Sequence, residues 1–222
     1  MPAGQTAAQA PRSQAERTAE SDARMLAAAV ELICEKGADG TTLKEVGERA
    51  GYSRGLAGYR FGNKAGLYRF VVRAIGEEWL AELGRAVGRR VGLAAIHAAT
   101  DAHARFISRG DLKTRAFYIL WFSSVGPEPA LKSVIAHIHA RRQQDVEQWI
   151  LKGIANGEVS AEVDVTSVAR HFCAAIIGIV YQWLVTPDDQ SRISAMHADL
   201  KQQMGLSLPP PGKAAAREQA DE

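Results

Sequence analysis

From residue 26 to residue 204 apolar side chains return every three or four positions, and no stretch alternates apolar and polar residues as a half-buried strand would. A chain patterned this way can bury its apolar stripes only by packing helix on helix, so the predicted fold class is all-α. Leu26, Ala29 and Ile33 form a first stripe, with Gly37 as its stop. Leu43, Val46, Gly47 and Ala50 form a second, and Thr42-Leu43-Lys44-Glu45 has the capping-box pattern that fixes its start. Ser53 is a natural N-cap for a third helix running to about Phe61. Asn63 can cap a fourth, striped by Leu67, Phe70, Val71 and Ala74.

Beyond residue 90 the helices lengthen. Ile96, Thr100, His103 and Ile107 share one face, and Phe117, Leu120, Trp121 and Ser124 share another. Pro127-Glu128-Pro129 breaks the chain. Leu131, Ile135 and Ile138 continue toward Trp149, and Gly153 and Gly157 read as the end of that helix. Val168 to Val185 is apolar on nearly every side and must be buried within the subunit or against a partner. Ile193, Met196, Leu200 and Met204 make the last stripe.

The flanks read differently. Residues 1–20 contain no Ile, Leu, Val, Phe, Tyr or Trp, and from Leu208 a proline run leads into small and charged residues, so 1–20 and 206–222 are expected to be disordered tails. With 46% apolar and 23% charged residues, the remainder has the balance of a globular protein, not a disordered chain. Cys34 and Cys173 stand far apart, which argues against a disulfide scaffold and suits a reducing, cytoplasmic setting. No basic and apolar leader opens the sequence, and the apolar run from Cys173 to Val185, cut by Gln182, is read as too short to span a bilayer.

The informative segment is 22–75, which holds nine Lys/Arg against six Asp/Glu. Within it two short helices meet at Ala50-Gly51-Tyr52-Ser53, a helix-turn-helix pattern. Gly51 suits the positive φ of the turn, and Gly47 would let the third helix approach the second. Tyr52, Ala57 and Phe61 are expected to face the core, leaving Arg54, Leu56, Tyr59 and Arg60 outward. A short exposed helix with Arg, Tyr and Arg suits a DNA major groove.

Three linked segments, Arg24 to Gly37, Thr41 to Val46 and Gly51 to Leu56, together with Phe61-Gly62-Asn63-Lys64, resemble the N-terminal domain of TetR-family transcriptional regulators over roughly residues 22–72. The resemblance implies that Lys44 and Lys64 touch the DNA backbone and that Thr42 offers its hydroxyl and the helix N-terminus to a phosphate. It also implies that the recognition helix, capped by Ser53, meets bases and phosphates through Arg54, Gly55, Leu56, Tyr59 and Arg60. Gly58 departs from the pattern, since the family places a phosphate-touching tyrosine there and Tyr59 follows one position later. The resemblance implies a helix-turn-helix domain over 21–66 and a ligand-binding and dimerisation domain over 67–205.

The function expected is a repressor that leaves a palindromic double-stranded DNA operator when a small hydrophobic molecule binds. Thr100, His103, Phe117, Trp121, Ser124, Phe172 and Ile176 are the expected pocket residues. The lack of an inward-facing Arg/Lys cluster argues against a strongly anionic ligand such as a nucleotide phosphate and favours an uncharged or weakly polar, hydrophobic effector. Homodimerisation is expected through a four-helix bundle in which Ile177, Val180, Trp183, Ile193, Met196 and Leu200 face the partner. No cofactor, metal site or membrane partner is expected, because His137/His139 and His97/His103 have poor ligand spacing. No phosphate-binding glycine loop or acid–base carboxylate pair points to an enzyme. The competing reading is an all-helical small-molecule-binding protein or enzyme with an incidental N-terminal docking module.

Overall fold

A computed structural model describes residues 13–126 and 129–212, without the side chains of Arg54, Pro129 and Ala130. Among these residues the chain is helical, with nine helices and no strand. They are α1 (Gln14–Gly40), α2 (Leu43–Arg49), α3 (Arg54–Phe61), α4 (Lys64–Val87), α5 (Gly92–Ser108), α6 (Leu112–Ser123), α7 (Pro129–Ala155), α8 (Val165–Val185) and α9 (Gln190–Ser207).

The first four elements form as the local sequence dictates. Gly37 takes φ 72° and breaks α1 before its last residues. Thr42 and Glu45 complete the reciprocal capping box of α2, and Asn63 accepts from the Gly66 amide to cap α4. Gly51 adopts φ 79° in the turn. A Cβ on Gly47 would stand 3.1 Å from the Ser53 carbonyl oxygen and 3.5 Å from Ala57 Cβ, so the missing side chain is what lets α3 settle on α2. Gly66 matters as much and has no sequence signal of its own. A Cβ there would lie 2.0 Å from the Phe61 carbonyl oxygen, across the junction of α3 and α4.

Helix α1 packs along α6, α4 packs on α5 and α6, and α5, α7, α8 and α9 complete the C-terminal body. One large core cluster runs through both ends of the molecule, from Met25, Leu32 and Ile33 to Trp183 and Leu200.

Several expectations are corrected. Residues 13–20 are not a tail: Ser13 and Glu16 form a capping box, and this local start lets α1 begin at Gln14 without any large apolar residue. The C-terminal tail begins later than expected, because Leu208 is 2% exposed and the Pro209 carbonyl accepts from the Ser160 amide at 2.8 Å. The remaining tail calls, 1–12 and 213–222, lie outside the described residues, as do Pro127 and Glu128 of the expected break. Gly153 does not end α7. It lies inside it, where a Cβ would meet Gly92 Cα at 2.6 Å, so the pair of glycines brings α5 and α7 together. Helix α8 is, by length and composition, long and apolar enough to cross a membrane; it packs on α7 and α9.

Two glycines give opposite expectations. Gly66→Ala should destabilise the fold by about 2 kcal/mol or more, since backbone must move to admit the methyl group. Gly58→Ala, in α3 with nothing within 4 Å of the new Cβ, should stabilise by about 1 kcal/mol. Thermal denaturation of both variants decides the matter, and equal midpoints would contradict the tight α3–α4 junction.

Candidate nucleic-acid interface and effector cavity

Helix α3 presents its residues unevenly. Tyr59 is 91% exposed, the most exposed large apolar side chain among the described residues. Ser53 is exposed and its hydroxyl makes no cap hydrogen bond, and Gly55 opens onto free space. Lys44 on α2 is exposed and has no ion-pair or hydrogen-bond partner among the described residues. These four groups form the open part of the expected DNA face. The Arg54 side chain lies outside what is described.

The other expected contacts are committed elsewhere. Arg60 does not project freely; its Nη2 pairs with Asp22 Oδ1 of α1 at 2.5 Å. Leu56 is half-buried and packs on the core, next to the fully buried Ala57. Thr42 donates to Glu45 Oε2 at 2.8 Å and accepts from the Glu45 amide, so a carboxylate already holds the anion position at this helix start. Hydrogen bonds from Lys36 and then Thr42 hold the Glu45 carboxyl down to about 2. Lys64 donates to the Asp39 carbonyl at 2.5 Å, beside the Tyr68 ring.

The string Gly51-Tyr52-Ser53-Arg54-Gly55 also spells G-x-S-x-G. A nucleophile elbow needs a strand before its serine, and here a helix precedes it.

The C-terminal body contains two adjoining spaces. A cavity of about 50 Å³ lies between α4, α5, α7 and α8. A groove of about 870 Å³ runs from Asp22 and Arg60, along α4 and α7, to Phe117 of α6. Trp79, Arg142 and Asp145 belong to the walls of both. Of the expected pocket residues, His103, Phe172 and Ile176 line the cavity and Phe117 lines the groove. Thr100, Trp121 and Ser124 line neither. Thr100 donates back to the Ile96 carbonyl at 2.8 Å, Ser124 to the Trp121 carbonyl at 2.6 Å, and Trp121 is buried. Trp79, His139 and Arg142 were missed, because α4 and α7 carry no face whose pattern singles them out.

Arg142 also overturns the premise of an uncharged pocket. Five arginines line the groove: Arg60, Arg69, Arg73, Arg141 and Arg142. Its three carboxylates are each engaged, Asp22 with Arg60 at 2.5 Å, Glu77 with Arg73 at 2.8 Å and Asp145 with Arg141 at 3.0 Å. Arg69 and Arg142 keep no carboxylate partner among the groove residues.

From Arg142 a chain of hydrogen bonds crosses the core. Arg142 donates to the Tyr118 hydroxyl. Tyr118 Oη lies 3.1 Å from His103 Nε2, His103 Nδ1 lies 3.0 Å from His197 Nε2, and His197 Nδ1 lies 2.7 Å from the Ile193 carbonyl oxygen. A carbonyl only accepts, so His197 carries its proton on Nδ1 and accepts at Nε2. His103 then carries its proton on Nδ1 and accepts from Tyr118 at Nε2. Every bond points the same way, from α7 through α6 and α5 to α9. Burial favours the neutral forms: it pushes His103 well below the usual imidazole range, helped by His197 and Arg142, and it lowers His197 as well.

The expected dimer residues are mostly spent inside the chain. Val180, Trp183, Ile193 and Leu200 are buried in the core, and Met196 is half-buried against it. Ile177 is half-buried in the cavity wall. The open faces lie elsewhere on the same helices. Ala174, Gly178, Tyr181 and Val185 are exposed on α8, and Ala195, Ala198 and Leu206 on α9.

A helix-turn-helix at one end of an all-helical body with an internal cavity defines a DNA-binding transcriptional regulator. Residues 25–71 match the sequence model of the tetR family of bacterial regulatory proteins. No curated protein is significantly similar in sequence. A Rhodococcus sp. structure assigned to the TetR family superposes with a TM-score of 0.70 at 20% identity, covering 86% of this chain and 100% of that one. GusR of Salmonella enterica gives 0.69 at 19%, covering 85% and 95%. SmeT in complex with triclosan gives 0.67 at 21%, covering 82% and 89%. These likenesses establish a shared fold.

The histidine pair sets a pH dependence. Above the ordinary imidazole value of 6.5 both folded and unfolded chains hold neutral rings. Below it the unfolded chain takes up protons that the folded core refuses, so stability falls as pH falls, by up to about 1.4 kcal/mol per pH unit for each ring. Denaturation at pH 7.5 and 5.5 should show this loss. A double variant His103→Leu with His197→Leu should show less of it, and an identical slope in both proteins would contradict the assignment.

Proposed function

We propose that this chain is a homodimeric transcriptional repressor that occupies a palindromic operator and is released by a small molecule with an apolar body. The observation that carries the DNA reading is Tyr59. An aromatic side chain 91% exposed on a recognition helix has no use in the fold, and it stands beside open Ser53, Gly55 and Lys44. Residues 21–66 serve as the DNA-binding domain and 67–205 as the effector and dimerisation domain, with the boundary in the first turn of α4. Two such domains would enter successive major grooves about 34 Å apart.

The groove supports the effector reading, since its volume suits a small ligand and its walls join the parts that must communicate. Trp79 stands on α4, which leads directly out of the helix-turn-helix, and Phe117 stands on α6, against which α1 packs. An effector that binds better when α4 and α6 are displaced shifts the population toward dimers whose reading heads mismatch the operator. The Arg142-to-His197 chain gives the same wall a connection to α9. For the dimer, the open α8 face of Ala174, Gly178, Tyr181 and Val185 and the α9 face ending in Leu206 replace the residues found buried.

A mobility-shift titration with the DNA flanking the gene tests the DNA reading. Saturable binding that survives excess random DNA is expected. Lys44→Ala should weaken specific and random binding alike and lower the salt slope by about one. Tyr59→Ala should cost about 1 kcal/mol or more of operator affinity without changing stability. Random-sequence binding only, or turnover of a small substrate, would favour the docking-module reading. For the dimer, Tyr181→Glu should yield monomers by sedimentation at micromolar concentration, and an unchanged dimer would move the interface off α8.

A further inference from the structure

Resting on the reading of the groove as the effector site, we infer that the effector is an organic carboxylate, whose carboxylate group is received by Arg142 and Trp79 in the wall that cavity and groove share. Three observations converge there. Trp79 is 5% exposed and its indole Nε1–H has no acceptor among the described residues. Arg142 Nη2, also covered, has none either, while the same guanidinium lies 4.8 Å from the Trp121 ring centre and donates elsewhere to Tyr118. The groove's three carboxylates are all held by other arginines, which leaves Arg69 and Arg142 uncompensated.

Indole and guanidinium groups are donors only, so a partner must bring acceptors. A buried donor without one is costly, and a planar carboxylate offers two oxygens at the spacing a guanidinium fork prefers. Beside its charged residues the wall carries an apolar and aromatic strip, from Trp79 and Phe70 to Phe117 and Ile138. That combination calls for an anionic head on an apolar body. Both nitrogens are covered here, so the carboxylate reaches them as α4 and α7 part. Binding is thereby tied to movement of the helix that carries the reading head.

Calorimetric titration of the full chain with hexanoate, decanoate and phenylacetate, beside hexanol, decanol and phenylethanol, tests this. At least one carboxylate should bind about tenfold or more tightly than its alcohol, and Arg142→Gln should abolish that preference. The exposed Arg69→Gln variant, which no fold contact requires, should narrow the preference in part. Alcohols binding as well as carboxylates would overturn the head-group assignment and leave the effector site standing. Binding by none of the six would overturn the site reading together with it. A carboxylate preference that survives Arg142→Gln would place the head group elsewhere.

Discussion

Helix α1 lies along α6, and what the molecule can do at a distance depends on that contact. The reading head has little core of its own: α2 and α3 are seven and eight residues long, and the buried faces of Met25, Leu32 and Ile33 belong to the cluster that continues into the C-terminal body. A Cys34 thiol donating to the Leu112 carbonyl at 3.4 Å marks where α1 meets the start of α6. Packed interiors resist continuous deformation and move between discrete arrangements. On the proposed reading, a shift of α6 or α4 at the groove would be passed to α2 and α3 as a rigid displacement.

The reading head was legible because its determinants are local. A capping box, an N-cap asparagine and glycines at a turn and a close approach are decided within a few residues, and each is found where the sequence puts it. What failed there was rotation about α3. Leu56 and Arg60 look outward on a helical wheel, yet one packs on the core and the other reaches back to Asp22. A wheel has no knowledge of where α1 and α4 sit.

The C-terminal body was legible as helices and far less so as a site. Apolar periodicity reports that a side chain is buried, not which surface buries it. Val180, Trp183, Ile193 and Leu200 thus looked like a dimer stripe and turned out to be intramolecular core. The residues left exposed on these two helices include small ones such as Ala174, Gly178 and Ala198, whose composition gives no alarm, beside Tyr181, Val185 and Leu206. Likewise His103 looked like an oddity on an apolar face, and its meaning depends on His197, 94 residues away.

Charge in the groove belongs to the same class of long-range information. Along the sequence Arg141 and Arg142 are two adjacent basic residues near Asp145, and a helix surface laced with ion pairs is the ordinary reading. Adjacent positions on a helix diverge by about 100°, so one arginine can take the carboxylate while the other turns inward. That is the division found: Arg141 pairs with Asp145, and Arg142 lies against Trp121 and Tyr118. The inward arginine is tolerable only because aromatic faces and a hydroxyl accept part of its charge, and the nitrogen left over lacks a partner. A fold selected for stability alone would fill such a site with an apolar side chain. On the proposed reading, a carboxylate would supply the acceptors that Arg142 Nη2 and the Trp79 indole lack on the wall shared by cavity and groove.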